Sequence, residues 1–328
     1  MRTGNKSGGN EVGAVGGDGV DQPLVIVGPT ASGKSALALE LAKRARSQSE
    51  AAGPVELVSI DSMQVYRGMD IGTAKPTAAE QAEVPHHLID LVDPAERFTV
   101  VDFATAFEAA MADIAGRGAV PMLVGGTGLY LRAVIDGLTP PPEFESIVAE
   151  LEAEAHATAD GVVVLHRRLA ELDSLAASRM EPTNIRRVVR ALSVCLGTGR
   201  PFSSYGPGLQ TYPEVPFRML GIDLDRDTLD ERITDRYRRQ IEEGLVDEVR
   251  RLMERPLSRT AAQALGYKEL RGHLAGECSL DEALEAAVAR TRRFARRQQR
   301  WFARDPRITW IPCESTSEMA DRAQQLEA

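Results

Sequence analysis

Four apolar residues, Leu24-Val25-Ile26-Val27, run directly into Gly28-Pro29-Thr30-Ala31-Ser32-Gly33-Lys34-Ser35. A helical pattern follows over 36–45, with Leu37 and Leu41 about one turn apart. Together these make a phosphate loop of the form G-x-x-x-x-G-K-[ST], in the strand–loop–helix setting that the motif requires. In such a loop the backbone N–H groups and the helix N-terminus face a polyphosphate. Lys34 adds a point charge, and the Ser35 hydroxyl is placed to ligate Mg2+. The motif says that a diphosphate or triphosphate is bound and leaves open what is done with it.

Further apolar runs at 55–60, 120–124, 219–224 and 308–311 alternate with helical patterns. That alternation predicts an α/β fold: a parallel sheet of the phosphate-loop NTPase kind, flanked by helices. Residues 141–205 differ. They follow Pro140-Pro141-Pro142 and are rich in Ala, Glu and Arg with a helical period, so they are expected to form an inserted helical domain. The core is then 23–140 and 206–328, preceded by a disordered tail over 1–22; 328 residues suffice for this plan. A helix pair is expected from Thr228 to Arg255, opened by the capping box Thr228-x-x-Glu231. Leu229, Ile233, Tyr237 and Ile241 make its apolar stripe, and Gly244 breaks it.

No apolar run approaches the roughly 18 residues of a membrane span, and 1–22 lacks the apolar centre of a signal peptide. Cys195, Cys278 and Cys313 are too widely spaced for a zinc pattern or a disulfide framework. A reducing cytoplasm fits them. A formal net charge of −9 argues against nucleic acid in bulk, yet the charge is unevenly spread. Eight arginines and one acid lie between Arg290 and Arg307, and Arg186, Arg187 and Arg190 form a second cluster. Such clusters are often only solvated helix faces. In Arg296-Arg297-Gln298-Gln299-Arg300-Trp301-Phe302, however, guanidinium groups alternate with aromatics, a mixture suited to phosphate contact and base stacking.

Other chemistry gathers at strand ends. The run 55–60 ends at Asp61, and in a parallel sheet the carboxyl ends of the strands line the ligand crevice. Asp61 is therefore expected to face the phosphate loop, as a turn former, as an Mg2+ carboxylate or as a general base; spacing leaves the three open. The run 120–124 ends in a second glycine-rich turn, Gly125-Gly126-Thr127-Gly128. Arg232 and Arg236 share a helix face, and their forks suit diphosphate oxygens. The neighbours His86 and His87 point to opposite faces of any strand and read as structural.

These residues resemble the tRNA dimethylallyltransferases (tRNA isopentenyltransferases). The likeness runs from about 23 to 311 and rests on long motifs in order. They are Gly28–Ser35, the stretch from Asp61-Ser62-Met63-Gln64 to Lys75-Pro76, Pro85–Leu88, Gly125–Tyr130 and Arg186–Leu192, then Gly244–Val249, Gln263–Lys268 and Arg297-Gln298-x-x-Trp301-Phe302. The resemblance implies transfer of a dimethylallyl group from its diphosphate to N6 of the adenosine 3′-adjacent to the anticodon (position 37), with Mg2+ as cofactor and tRNA as partner. It gives Asp61 the role of base and makes Thr30, Lys34, Arg232 and Arg236 contacts of the leaving diphosphate. It places Asp61, Ser62, Met63, Gln64, Thr127, Val148, Arg186, Arg187, Arg190, Gln263, Gly266, Tyr267, Lys268, Arg296, Arg297, Gln298, Arg300 and Trp301 at the tRNA. Departures from the family's pattern fall at Val148, Ser193 and Ala303, away from the diphosphate residues. The expected protein is a cytoplasmic monomer. The rival is a phosphate-loop kinase of a nucleoside or small metabolite, with ATP in the loop.

Overall fold

The computed structural model describes residues 22–48, 53–138, 140–205 and 211–326. Apart from Gln22, the tail expected over 1–22 lies outside them. The elements in chain order are β1 (Leu24–Val27), α1 (Lys34–Gln48), β2 (Val55–Ile60), α2 (Ala78–Glu83), β3 (His86–His87), α3 (Val100–Gly116), β4 (Val120–Gly125) and α4 (Gly128–Ile135). Then come α5 (Glu145–Ala157), α6 (Gly161–Leu172), α7 (Ser174–Ser178), α8 (Ile185–Thr198), β5 (Arg218–Asp223), α9 (Arg226–Glu242) and α10 (Leu245–Met253). The chain continues through α11 (Tyr267–Leu274), α12 (Leu280–Phe302), β6 (Ile308–Pro312) and α13 (Thr316–Gln325).

The chain divides into two compact units. The first comprises 1–97, 106–128 and 214–328. Its described strands form a six-stranded sheet in the order β3-β2-β4-β1-β5-β6, every pairing parallel. β1 is buried along its whole length, as a strand covered on both faces must be. Leu37, Ala38, Leu41 and Ala42 put one stripe of α1 into a core with Ile26, Leu57 and Ile222. Such burial yields roughly 25 cal/mol per Å2 of apolar surface. In the register of the sheet, Gly125 pairs with both Val27 and Ile60, so the loops after β1, β2 and β4 leave one edge together.

Three local details differ from the sequence expectation. The strands are shifted or lengthened by a residue: β5 starts at Arg218, β4 ends at Gly125 and β6 at Pro312. Helix α9 starts before Thr228, because the Asp225 side chain takes the cap and accepts the Thr228 N–H at 2.9 Å and its hydroxyl at 2.6 Å. A carboxylate at the positive helix end makes the better cap. Ile241 is only half-buried, and Gln240 is buried in that turn, donating from its amide to the Ile71 carbonyl. His86 and His87 form the edge strand β3, too short to leave a periodic signal. His87 Nε2 lies 2.6 Å from Glu56 Oε2, and His86 Nδ1 lies 2.7 Å from the Val84 carbonyl.

The second unit comprises 98–105 and 129–213. It thus takes in most of α4 and the start of α3 besides 141–205. Phe103 and Tyr130 account for this, with ring centroids 4.5 Å apart. Helices α5 to α8 pack around Leu151, Leu165, Leu169, Val188 and Leu192. Arg132 is buried in an ion pair with Asp136. No helix among the described residues is long and apolar enough to cross a membrane.

Candidate active site

The phosphate loop leaves β1 at the carboxyl edge and turns into α1. Ala31, a non-glycine residue, is held at φ 66°, in the left-handed region that costs an L-residue about 1–2 kcal/mol. The ammonium of Lys34 folds back on its own loop and donates to the Pro29 carbonyl at 3.3 Å. Burial pushes its pKa down to about 8; Asp61 works against that shift and Arg236 adds to it. The Ser32 hydroxyl is buried and makes no hydrogen bond among the described residues.

Helix α9 supplies two further cations. Arg236 donates from Nη1 to the Thr30 hydroxyl at 2.7 Å, while its buried Nε has no partner among the described residues. Burial works against the Arg236 charge, and Tyr237 and Asp61 favour it. Arg232 donates from Nη1 to the Ser32 carbonyl at 3.3 Å and to Cys313 Sγ at 3.1 Å. The two arginines therefore have separate tasks: Arg236 meets a loop side chain, and Arg232 meets the loop backbone. Ser32 Oγ in the loop and Arg236 Nε on α9 are two buried polar atoms without a partner among the described residues, and with the Lys34 charge nearby the setting suits an anionic ligand.

The Asp61 carboxylate favours the charged forms of both Lys34 and Arg236. One oxygen accepts the N–H groups of Met63 at 2.8 Å and Gln64 at 3.3 Å, making an Asx turn. Oδ2 takes no part in that turn. Asp61 is thus a turn former through one oxygen alone. Thr127 Oγ1 accepts the Ser62 N–H at 3.1 Å, which ties the loops after β2 and β4 together. Gln64 turns back on its own loop: its amide oxygen accepts from the Ser59 hydroxyl, and its amide nitrogen donates to the carbonyls of Thr73 and Ala74.

Several of the residues expected at an RNA are buried or hydrogen-bonded within the protein. Tyr267 is 1% exposed and donates to Glu248, and Gly266 is buried beside it. Gln298 is buried, with both ends of its amide used inside the protein. Arg296 pairs with Asp230 at 2.7 Å, tying α12 to α9. Arg190 donates to the carbonyls of Pro141 and Pro142. Val148 packs against the helical core of its unit. Trp301 is half-buried over Gly128, where a Cβ would stand 2.1 Å from the indole nitrogen. Arg186, Arg187, Gln263, Lys268, Arg297 and Arg300 reach the surface, and Ser62 and Met63 are half-exposed.

Two features escaped the sequence. Arg293 is exposed one turn before Arg297, and with Arg300 they form a ridge along α12. Burial and its neighbours Arg293, Arg300 and Arg290 all push the Arg297 pKa down. Spacings of four and three residues were the available signal. The second is Glu248, buried in α10, which accepts the backbone N–H groups of Asp70, Ile71 and Gly72 besides the Tyr267 hydroxyl. An acid within the stripe Leu245, Glu248, Val249, Leu252 was the clue.

Fold and site together define an α/β protein in which a phosphate-loop motif and the Asp61 carboxylate leave the same edge of a parallel sheet. A family profile described as IPP transferase matches residues 64–305. A tRNA dimethylallyltransferase of Geobacter metallireducens is 48% identical over 293 residues, covering 88% of this chain and 91% of that one. One from Nocardioides is 45% identical over 309 residues, 93% and 96% of the two chains. The crystal structure of the tRNA isopentenylpyrophosphate transferase of Bacillus halodurans matches with a TM-score of 0.65 at 38% identity, over 94% of this chain and 96% of that one. A eukaryotic dimethylallyltransferase captured acting on tRNA matches with a TM-score of 0.71 at 26% identity, over 94% and 78%. The chain belongs to the tRNA dimethylallyltransferase family, and these relatives do not favour the kinase reading.

Proposed function

We propose that this protein transfers a dimethylallyl group from dimethylallyl diphosphate to N6 of adenosine 37 in tRNA. The observation that carries the chemistry is the convergence of the phosphate loop, Asp61 and the turn after β4 at one edge of the sheet, with the Asp61 charge favouring the charged forms of Lys34 and Arg236. The N6 lone pair attacks C1 of the allyl group, the C1–O bond breaks, and diphosphate leaves with the bonding electrons. The proton released from N6 passes to Asp61 Oδ2. A base in reach of a weak amine nucleophile contributes roughly 10²–10⁴-fold. Lys34, Arg236 and the loop N–H groups meet the charge that grows on the leaving group. Arg232 acts on the cradle through the Ser32 carbonyl. Ser35, exposed at the start of α1, would hold Mg2+ together with phosphate oxygens; the ion would add positive charge at the leaving group. Among the described residues no group of three or more His, Cys, Asp or Glu could hold a metal ion. Adenine has to leave its stack to reach a carbon at this loop.

The test is incubation with radiolabelled dimethylallyl diphosphate and unmodified tRNA, with a parallel ATP reaction. Label on an N6-modified adenosine, found by nucleoside mass spectrometry, supports the proposal. ATP turnover without prenyl transfer would support a kinase.

A further inference from the structure

We infer that Gln298 is a positioning residue of the diphosphate site, holding the third residue of the phosphate loop against the turn after β4, and is not a contact to RNA. The inference rests on the proposed transferase chemistry. Gln298 lies on α12, on the side away from the arginine ridge, and is 8% exposed. Its Oε1 accepts the Thr30 N–H at 2.9 Å, and its Nε2 donates to the Gly126 carbonyl at 2.8 Å. The polarity is fixed at both ends, because a backbone N–H can only donate and a carbonyl can only accept. Flipping the amide would break both bonds. The approach to the turn is also close: a Cβ at Gly126 would stand 2.4 Å from Nε2 and 3.1 Å from the Gly28 carbonyl oxygen. Glycine at 126 is therefore what admits the clamp.

Thr30 is gripped from two sides, by Gln298 at its backbone and by Arg236 at its hydroxyl. The next residue is Ala31, in the left-handed region. A loop holding such a conformation before its ligand arrives needs neighbours that over-determine it. Gln298 is one such neighbour, and its own helix is tied down by the Arg296–Asp230 pair and by Trp301 on Gly128. Without the amide, the loop N–H groups lose their fixed aim at the diphosphate. The Gly126 carbonyl loses its buried donor as well.

The experiment compares wild type with Gln298→Ala, Gln298→Glu and Gly126→Ala. It reads the Kd for dimethylallyl diphosphate and for inorganic diphosphate without tRNA, the Kd for tRNA, and steady-state KM and kcat. Gln298→Ala is expected to weaken both diphosphate ligands about tenfold or more, to raise KM for dimethylallyl diphosphate in step, and to leave the tRNA Kd within about twofold. Gln298→Glu keeps an acceptor for Thr30 but sets an oxygen against the Gly126 carbonyl, so it should lose at least as much. Gly126→Ala leaves Gln298 in the chain and crowds its amide, and it should show the same signature even if the Gln298 variants fold poorly. A rise in the tRNA Kd with unchanged diphosphate affinity would overturn the inference in favour of an RNA contact. Unchanged diphosphate affinity with only a lower Tm would overturn it in favour of plain packing. Failure of the wild type to prenylate tRNA would count against the proposed function alone, since inorganic diphosphate still reports on the clamp.

Discussion

Lys34 shows how one residue sets the working range of the site. With its pKa pushed down to about 8 by burial, the free protein loses this charge as pH rises through that value. A bound anion favours the charged form, so binding takes up a proton above pH 8. The Kd for dimethylallyl diphosphate is expected to rise between pH 7 and pH 9.5, approaching tenfold per unit above pH 8. Lys34→Arg keeps a charge that does not titrate in this range, and its affinity should stay flat over the same buffers. Calorimetry in buffers of different ionisation enthalpy would count the protons directly. A wild-type affinity as flat as that of the variant would remove Lys34 from the phosphate cradle.

At the scale of elements, α12 does two jobs with two faces. Arg293, Arg297 and Arg300 point outward, and Arg297 feels its neighbours as like charges. Unneutralised cations in a row suit a polyanion. Replacing the three with alanine is expected to weaken tRNA binding at low salt. The slope of log affinity against log salt should fall by roughly 0.7–0.9 for each phosphate that is no longer neutralised. Arg296→Ala should behave differently. It takes from the half-buried Asp230 its closest partner, so urea unfolding should show a loss of about 0.5–1.5 kcal/mol while the salt slope stays unchanged. Equal effects of the two changes on the salt slope would contradict this division of faces. The sequence showed α12 as a basic, aromatic segment and grouped Arg296 with the outward arginines. Helical spacing does not set Arg296 apart, since it lies three residues after Arg293 and four before Arg300, and Asp230 lies 66 residues away where no local pattern points to it. The cap of α9 was misplaced for a simpler reason. Both Asp225 and Thr228 are good caps, and only the folded chain shows which one the helix uses.

Over the whole molecule, what was legible was what is local. The phosphate loop, the strand before it and the helix after it are contiguous, so the α/β fold and the phosphate-loop motif could be read from one stretch of chain. The strand runs then placed Asp61 and the Gly125–Gly128 turn at the same sheet edge, and the register of β4 with β1 and β2 brings them together. What was not legible depends on distant contacts. Gln298 meets Thr30 across 268 residues and Gly126 across 172, so its amide looked like one more polar group in a basic tail. The glycines of the Gly125–Gly128 turn read only as a second glycine-rich turn at that sheet edge, and their close contacts are with Ile60, Gln298 and Trp301. The most direct test of the central claim, that this sheet edge holds a leaving diphosphate against a base, is single-turnover transfer by Asp61→Asn with saturating tRNA and dimethylallyl diphosphate. Asparagine keeps an oxygen for the Met63 and Gln64 N–H groups and loses only the base. The expected result is transfer slowed by about 10²–10⁴ with the Kd for dimethylallyl diphosphate little changed. Transfer at the wild-type rate would contradict it.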